Sequence, residues 1–144
     1  MTDAFDELFR FLDQLGQTLE KLTEIERKKT AAVRHDDLMT VNECMKQEQA
    51  LSLSLRSMDV KREKLLTAAG LKGISLTRMA EYCPPEKRAA AREAAERLRN
   101  RFQIYQSAAQ VARTTLEVNL HQIEKIIADE GGGEGSPSMT DIRA

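Results

Sequence analysis

The segment "FDELFRFLDQLGQTLEKL" (residues 5–22) places an apolar residue at every third or fourth position without a break. The apolar positions are Phe5, Leu8, Leu12, Leu15, Leu19 and Leu22. This alternation is typical of a helix that packs lengthwise against other helices. Thr2 or Asp3 is a candidate N-cap, and the acidic residues that follow suit the first turn of a helix. We therefore predict a long first helix over residues 3–34.

A second apolar stripe follows the charged stretch "RHDD" (residues 34–37). It starts at Leu38, Val41 and Met45, out of phase with the first stripe. This break in phase indicates a tight turn, with Asp36 or Asp37 capping a second helix over residues 37–69. Because no Gly or Pro marks the turn, a continuous kinked helix is the alternative. Gly70 suits the left-handed position that ends many helices.

A third apolar stripe runs from Ala91 to Ile126, after a connector in which we expect one short helical turn near residues 75–82. Pro84 and Pro85 are tolerated in a first helical turn, so a third helix is predicted over residues 85–130. The glycine run "GGG" should end it. The predicted domains are a helical bundle over 1–130 and a flexible Gly-rich tail over 131–144.

These three stripes predict an all-α fold, an elongated coiled-coil-like bundle of three long antiparallel helices. The composition agrees, because 31% of the residues are charged, 4% are aromatic and none is Trp. The third helix is the longest by about 13 residues, or roughly 20 Å at 1.5 Å per residue. We expect its surplus to extend past the other two helices.

The composition argues against several classes of partner. The net charge of −1 does not favour nucleic acid, and no apolar run approaches the length needed to enter a membrane. The acidic N-terminus lacks the layout of a signal peptide, so a cytoplasmic protein is expected. Cys44 and Cys83 fit no metal-binding pattern and are interpreted as two reduced thiols.

The sequence offers no recognisable catalytic site. HExxH, nucleophile-elbow and Walker-type motifs do not occur, and His35 and His121 are interpreted as solvated or partly packed side chains. The basic run from Lys87 to Arg101 is interleaved with glutamates, which favours a solvated surface with pairs such as Glu93–Arg97. We expect no enzymatic activity, no cofactor and no metal.

Two charged residues, Glu48 and Arg62, fall on the apolar stripe of the second helix. Such side chains either reach water at the edge of the stripe or pair across the bundle and fix its register. The sequence leaves both interpretations open.

The stretch "LEVNLHQIEKII" (residues 116–127) is apolar on nearly every side of a helix. Leu116, Ile123 and Ile126 belong to the seam that faces the bundle, whereas Val118, Leu120 and Ile127 flank it. Either the other helices cover every face of this end, or another chain covers it, as grooves often bind amphipathic helices. The second interpretation gives a set of partner-binding candidates: Val111, Leu116, Val118, Leu120, Ile123, Ile126 and Ile127.

The same stretch and "KQEQALSLSLRSMDVKREKLLTAAGL" (residues 46–71) resemble flagellar export chaperones of the FlgN type. The matching features are Glu48-Gln49, Lys61-Arg62 before Leu65-Leu66, Gly70, and Asn119-Leu120. The resemblance implies a non-enzymatic, all-helical cytosolic chaperone. Such a chaperone binds the C-terminal regions of hook-associated proteins of the FlgK and FlgL type, prevents their premature assembly and helps to deliver them for secretion.

The resemblance also places client binding in the C-terminal part of the chaperone and makes the flagellar export apparatus a second candidate partner. The competing hypothesis is a structural coiled-coil adaptor that forms a homo-oligomer through the same apolar stripe. An adaptor should self-associate with a fixed stoichiometry, whereas a chaperone should be soluble alone and form a complex with a client.

Overall fold

A computed structural model describes residues 3–131, which form three long helices and two short ones. The long helices are α1 (Ala4–Arg34), α2 (Leu38–Ala68) and α3 (Arg88–Gly131). Two short 3₁₀ turns, Leu76–Tyr82 and Pro85–Lys87, lie between α2 and α3. The predicted all-α bundle of three long helices is confirmed. Residues 132–144 of the predicted tail lie outside the described residues, so the division into bundle and tail stays a prediction.

The junction of α1 and α2 is a turn and not a kink. Asp36 adopts a left-handed conformation (φ 55°), which a short polar side chain tolerates better than most. The amide of Asp37 donates to the carbonyl of Ala32 at 2.9 Å, and the Asp37 carboxylate accepts from the amide of Thr40 at 3.1 Å. Asp37 therefore helps to close the first helix and caps the second, without any glycine or proline.

The end of α2 follows the prediction at Gly70. Gly70 is left-handed (φ 75°), and its amide donates to the carbonyl of Thr67 at 3.1 Å. The amide of Leu71 donates to the carbonyl of Leu66 at 2.8 Å, which completes a Schellman motif. The Leu71 side chain is buried, so the motif also anchors the connector to the core.

The start of α3 was predicted three residues too early. Pro85 begins a single 3₁₀ turn, and the α-helix itself begins at Arg88. Proline lacks an amide hydrogen and fixes its own φ, so it fits this first tight turn as well as an α-helical one. The short turn predicted near residues 75–82 is present as a 3₁₀ helix.

The three helices run up, down and up, so α1 and α3 are parallel. Helix α1 packs against both other long helices, and more extensively against α3 than against α2. Lys87 contacts Asp6 and Arg97 contacts Asp13, offsets of 81 and 84 residues. The same offsets bring Arg34, the end of α1, level with about residues 115–118. The last 13 or so residues of α3, roughly 20 Å, therefore extend beyond the α1–α2 turn, as predicted from helix length.

The core consists of two clusters of unequal size. The larger one joins the first half of α1 to the connector and to an alanine-rich stretch of α3, where Ala91 and Ala94 are fully buried. Small side chains let α1 and α3 approach closely there. The smaller cluster lies near the α1–α2 turn and consists of Ala32, Val33 and Val41, with Leu116 packed against it. The bundle is therefore densely packed at one end and thin at the other.

Candidate partner-binding surface

The first half of the α1–α3 contact is closed by a ladder of ion pairs. Carboxylates at every seventh position of α1 meet basic residues of α3: Asp6 with Lys87 at 2.9 Å, Asp13 with Arg97 at 3.1 Å, and Glu20 with Arg101 at 2.8 Å. Three of the six basic residues of the run are thus paired between helices. The predicted Glu93–Arg97 pair within α3 is present only at 4.0 Å. The seven-residue spacing of the α1 carboxylates is the sequence signal for this pairing, and it was missed.

A glycine in the middle of α1 makes room for the last pair in this ladder. An added Cβ at Gly16 would lie 2.5 Å from Nη1 and 2.8 Å from Cδ of Arg101. The Arg101 side chain therefore crosses the bare backbone of Gly16 before it reaches Glu20. Glycine usually lowers the stability of a helix interior. Here its missing side chain leaves the space that Arg101 of α3 occupies.

A charge cluster lies between the two core clusters, and its members are the buried Glu26 and the partly buried Lys29 and Glu48. Lys29 contacts Glu26 on its own helix at 3.1 Å and Glu48 of α2 at 2.6 Å. Burial raises the pKa of the Glu26 carboxyl, and the contact with Lys29 opposes that shift. Hydrogen bonds to both carboxylates raise the pKa of Lys29 against the opposing effect of its burial, which is the largest single influence.

This cluster decides between the two interpretations of the charged residues on the second helix. Glu48 pairs across the bundle, whereas Arg62 pairs with Asp59 of its own helix at 2.7 Å and is partly exposed. Only Glu48 therefore links two helices. Because a half-paired buried ion is costly, the Lys29–Glu48 contact favours one register of α2 on α1.

The second half of the α1–α3 contact is open. A groove of about 620 Å³ lies between the two helices. Arg27 and Arg34 lie along its α1 side, and Ile104 and Val111 lie along its α3 side, with both side chains about half exposed. A smaller groove continues it past Val118, towards the end of α3. Here the ladder of ion pairs is replaced by an apolar stripe opposite two arginines.

The predicted partner-binding residues fall into two groups on α3. Val111 and Val118 line these grooves with exposures of 47% and 52%, respectively. Beyond the α1–α2 turn, Ile123 and Ile126 are 38% and 55% exposed. Leu116 is half-buried against the small core cluster. Leu120 and Ile127 are half-buried as well.

The predicted division into seam and flanking residues was wrong at this end. Ile126, predicted to lie on the seam, is more exposed than Leu120 and Ile127, which were predicted to flank it. The seam was drawn with a strict seven-residue repeat, and a straight helix drifts by about 20° per heptad against such a repeat. Over about five heptads from Ala91, the drift amounts to about 100°, which moves the buried face by about one residue position.

Several exposed residues near this end were not among the predicted candidates. Leu38 and Met39, at the start of α2, are 74% and 85% exposed, although Leu38 was expected to lie on the apolar stripe. They lie one turn before Val41, which belongs to the small core cluster. Arg27 and Arg34 were missed because single arginines carry no sequence signal until the opposing helix is known.

Comparison with known proteins gives one match, to a protein family. A protein-family model described as FlgN protein matches residues 1–129. The chain belongs to the FlgN family. The match includes all of α1 and α2 and nearly all of α3. No curated protein and no solved structure matches the chain.

Membership of the FlgN family assigns a general role as a flagellar export chaperone, and this family is a chaperone family, not an enzyme family. Within residues 3–131, no group of His, Cys and carboxylate side chains could hold a metal ion. The helices in this part of the chain are also too short or too polar to cross a membrane. Cys44 and Cys83 are buried free thiols, and burial raises the pKa of both.

Proposed function

We propose that this FlgN-family protein is a cytoplasmic chaperone for hook-associated proteins of the FlgK and FlgL type. It binds their C-terminal regions on the second half of α3 and keeps them from premature assembly until export. The observation that carries this proposal is the extended end of α3, which exposes apolar side chains that the rest of the bundle does not cover. Family membership supplies the class of process, flagellar export.

The proposed mechanism is the reversible burial of an amphipathic client helix. Ile123 and Ile126 lie beyond the α1–α2 turn, and Val118 continues the same exposed surface towards the groove. Fully burying one such side chain stabilises a complex by roughly 1.5–3 kcal/mol. Several of them give useful affinity without nucleotide hydrolysis or a metal. Release then requires only competition for the same surface, for which the export apparatus is the proposed second partner.

The test is the double substitution Ile123→Asp with Ile126→Asp. Each aspartate removes apolar contact from the complex and brings a charge that must lose its water. Together we expect a loss of at least about 3 kcal/mol, or roughly 100-fold in Kd, for a C-terminal segment of a hook-associated protein. Calorimetric titration measures this loss directly.

A matched control is available on α2. Leu53 and Val60 are 64% and 58% exposed, and Leu53→Asp with Val60→Asp adds the same two charges away from α3. The control should keep the affinity of the unchanged protein, and both variants should unfold at nearly the same urea concentration as it does. Equal loss of affinity in both variants, or no loss in either, would contradict the proposed site.

Sedimentation of the unchanged protein separates this function from that of a structural adaptor. A chaperone with its client surface free should remain at one molecular mass over a wide concentration range. A fixed oligomer that Ile123→Asp with Ile126→Asp dissociates would instead assign the surface to self-association.

A further inference from the structure

The seven-residue repeat on one edge of α1 changes sign halfway along the helix. The repeat consists of Asp6, Asp13, Glu20, Arg27 and Arg34. The three carboxylates pair with basic residues of α3. Among residues 3–131, neither arginine has a recorded ion pair, and both are exposed beside the groove. The edge therefore ends in two positive charges that the bundle itself does not use.

The opposite edge of the groove repeats with the same period. Ile104, Val111 and Val118 lie seven residues apart on α3 and are each about half exposed. Since α1 and α3 run parallel, the arginines and the apolar side chains form two rows with a common spacing of about 10 Å along the helix axis. A helix lying between the rows would meet apolar side chains on one flank and positive charges on the other, once in every two turns.

We propose that this groove binds an acidic amphipathic helix of a partner protein. Its apolar stripe covers Ile104, Val111 and Val118, and carboxylates seven residues apart pair with Arg27 and Arg34. The proposal deepens the proposed function, on which it rests, by stating the chemistry of the client segment. Charge pairing closes the first half of the α1–α3 contact. The bound helix would continue this charge pairing along the second half.

Two other occupants fit the groove less well. A second copy related by twofold symmetry would bring the same patch, whose lining contains no carboxylate, so Arg27 and Arg34 would still lack an acidic partner. Residues 132–144 of the chain contain only Met139 and Ile142 as large apolar residues. Two such side chains cannot cover a stripe that spans about four turns. The charge and length of the groove therefore favour a separate acidic helix.

The experiment uses the full chain and two synthetic amphipathic helices of about three heptads each. One peptide carries glutamate at every seventh position beside its leucine stripe, and the other carries lysine at the same positions. Both are titrated against the unchanged protein, against Arg27→Glu with Arg34→Glu, and against a control with Arg10→Glu and Arg92→Glu. The control residues are exposed and lie at the closed end of the bundle, so they match the change in net charge.

We expect the glutamate peptide to bind the unchanged protein and to bind Arg27→Glu with Arg34→Glu about tenfold more weakly or worse, because two attractions become repulsions. The lysine peptide should show the opposite order, a gain that a misfolded variant could not produce. The control should change neither affinity by more than about twofold. Absence of glutamate-peptide binding, or equal Kd values for the charge-reversed variant and the control, would overturn the proposal.

Two further outcomes would assign the groove to another occupant and so overturn the proposal. One is a dimer that Val111→Asp dissociates, and the other is a gain of about tenfold in peptide affinity when residues 132–144 are removed. Segments of hook-associated proteins are titrated in parallel. If they bind independently of Arg27 and Arg34, the function stands and this inference fails. If only the glutamate peptide binds, through the arginines, the inference stands and the client assignment fails.

Discussion

The two halves of the α1–α3 contact are built on the same repeat but end in different states. In the first half, Leu8 and Leu12 are buried against Ala91 and Ala94, and ion pairs close the edge. In the second half, the core is thin, the edge carries Arg27 and Arg34, and the opposing apolar side chains remain about half exposed. One pair of helices thus holds a folded scaffold at one end and an uncovered surface at the other.

The difference is consistent with the proposal that this small bundle keeps stability and binding apart. Alanines at the first end allow close packing, which supplies the cohesion that the exposed end lacks. The charge cluster of Glu26, Lys29 and Glu48 lies between the two ends and favours one register of α2 on α1. Substitutions at the two ends should therefore have opposite consequences, large for folding at the first and large for binding at the second.

The largest expected effect is on stability at the closed end. Leu12 is 2% exposed, and Leu12→Ala should lower the free energy of unfolding by about 2–5 kcal/mol, because it removes packed methyl groups and leaves a cavity. Val118→Ala at the open end should change it by no more than about 0.5 kcal/mol. Urea unfolding of both variants measures the contrast. Similar losses would mean that the open end contributes to the core after all.

A smaller effect tests how the closed end is fitted together. Gly16→Ala should gain up to about 1 kcal/mol of helix stability, but its Cβ would collide with Arg101 and weaken the contact with Glu20. In an Arg101→Ala background the same change should give its full gain. A double-mutant cycle in urea compares the two gains. Equal gains in both backgrounds would show that Arg101 does not depend on the bare backbone of Gly16.

The smallest expected effect lies at the boundary between the two halves and depends on pH. Burial raises the pKa of Glu26 above its ordinary value of 4.5 in the folded protein. The folded state therefore holds this proton more tightly than the unfolded state does. The resulting stabilisation is present below the unfolded pKa and is lost as the pH rises through the folded pKa.

Glu26→Gln should remove this decline, because the amide stays neutral. The free energy of unfolding of the variant, relative to the unchanged protein, should rise as the pH increases above the ordinary glutamate pKa of 4.5. Urea titrations at several pH values measure this difference in free energy. The contributions of the other carboxylates largely cancel, because both proteins contain them. A difference that is constant or falls with pH would contradict the assignment of the buried carboxyl.

The sequence was sufficient for the fold because the apolar stripes are long and their boundaries carry specific residues. Asp37 and Gly70 end or begin helices where the stripes change phase, and the surplus length of α3 followed from counting residues. The start of α3 was misplaced because Pro85 suits two kinds of first turn. The pairing of Lys87 and Arg97 with α1 was missed because it depends on the offset between two helices that are distant in sequence.

The candidate surface could be located from the sequence only in part. The excess of apolar residues over 116–127 pointed to the end of α3, where the structure exposes apolar side chains such as Ile123 and Ile126. Which of them are exposed depends on where α1 stops and on the drift of the buried face, so Leu120 and Ile126 exchanged their expected positions. The groove beside Arg27 and Ile104 required the parallel packing of α1 on α3.

Hydrogen exchange with and without a bound client segment tests the separation of the two halves most directly. With a C-terminal segment of a hook-associated protein bound, we expect slower amide exchange in α3 from about residue 103 onward and around Arg27 and Arg34. Residues 88–101 and the first half of α1 should exchange at unchanged rates. Protection confined to residues 88–101, or to the α2 face of the bundle, would contradict the assignment of binding to the open half.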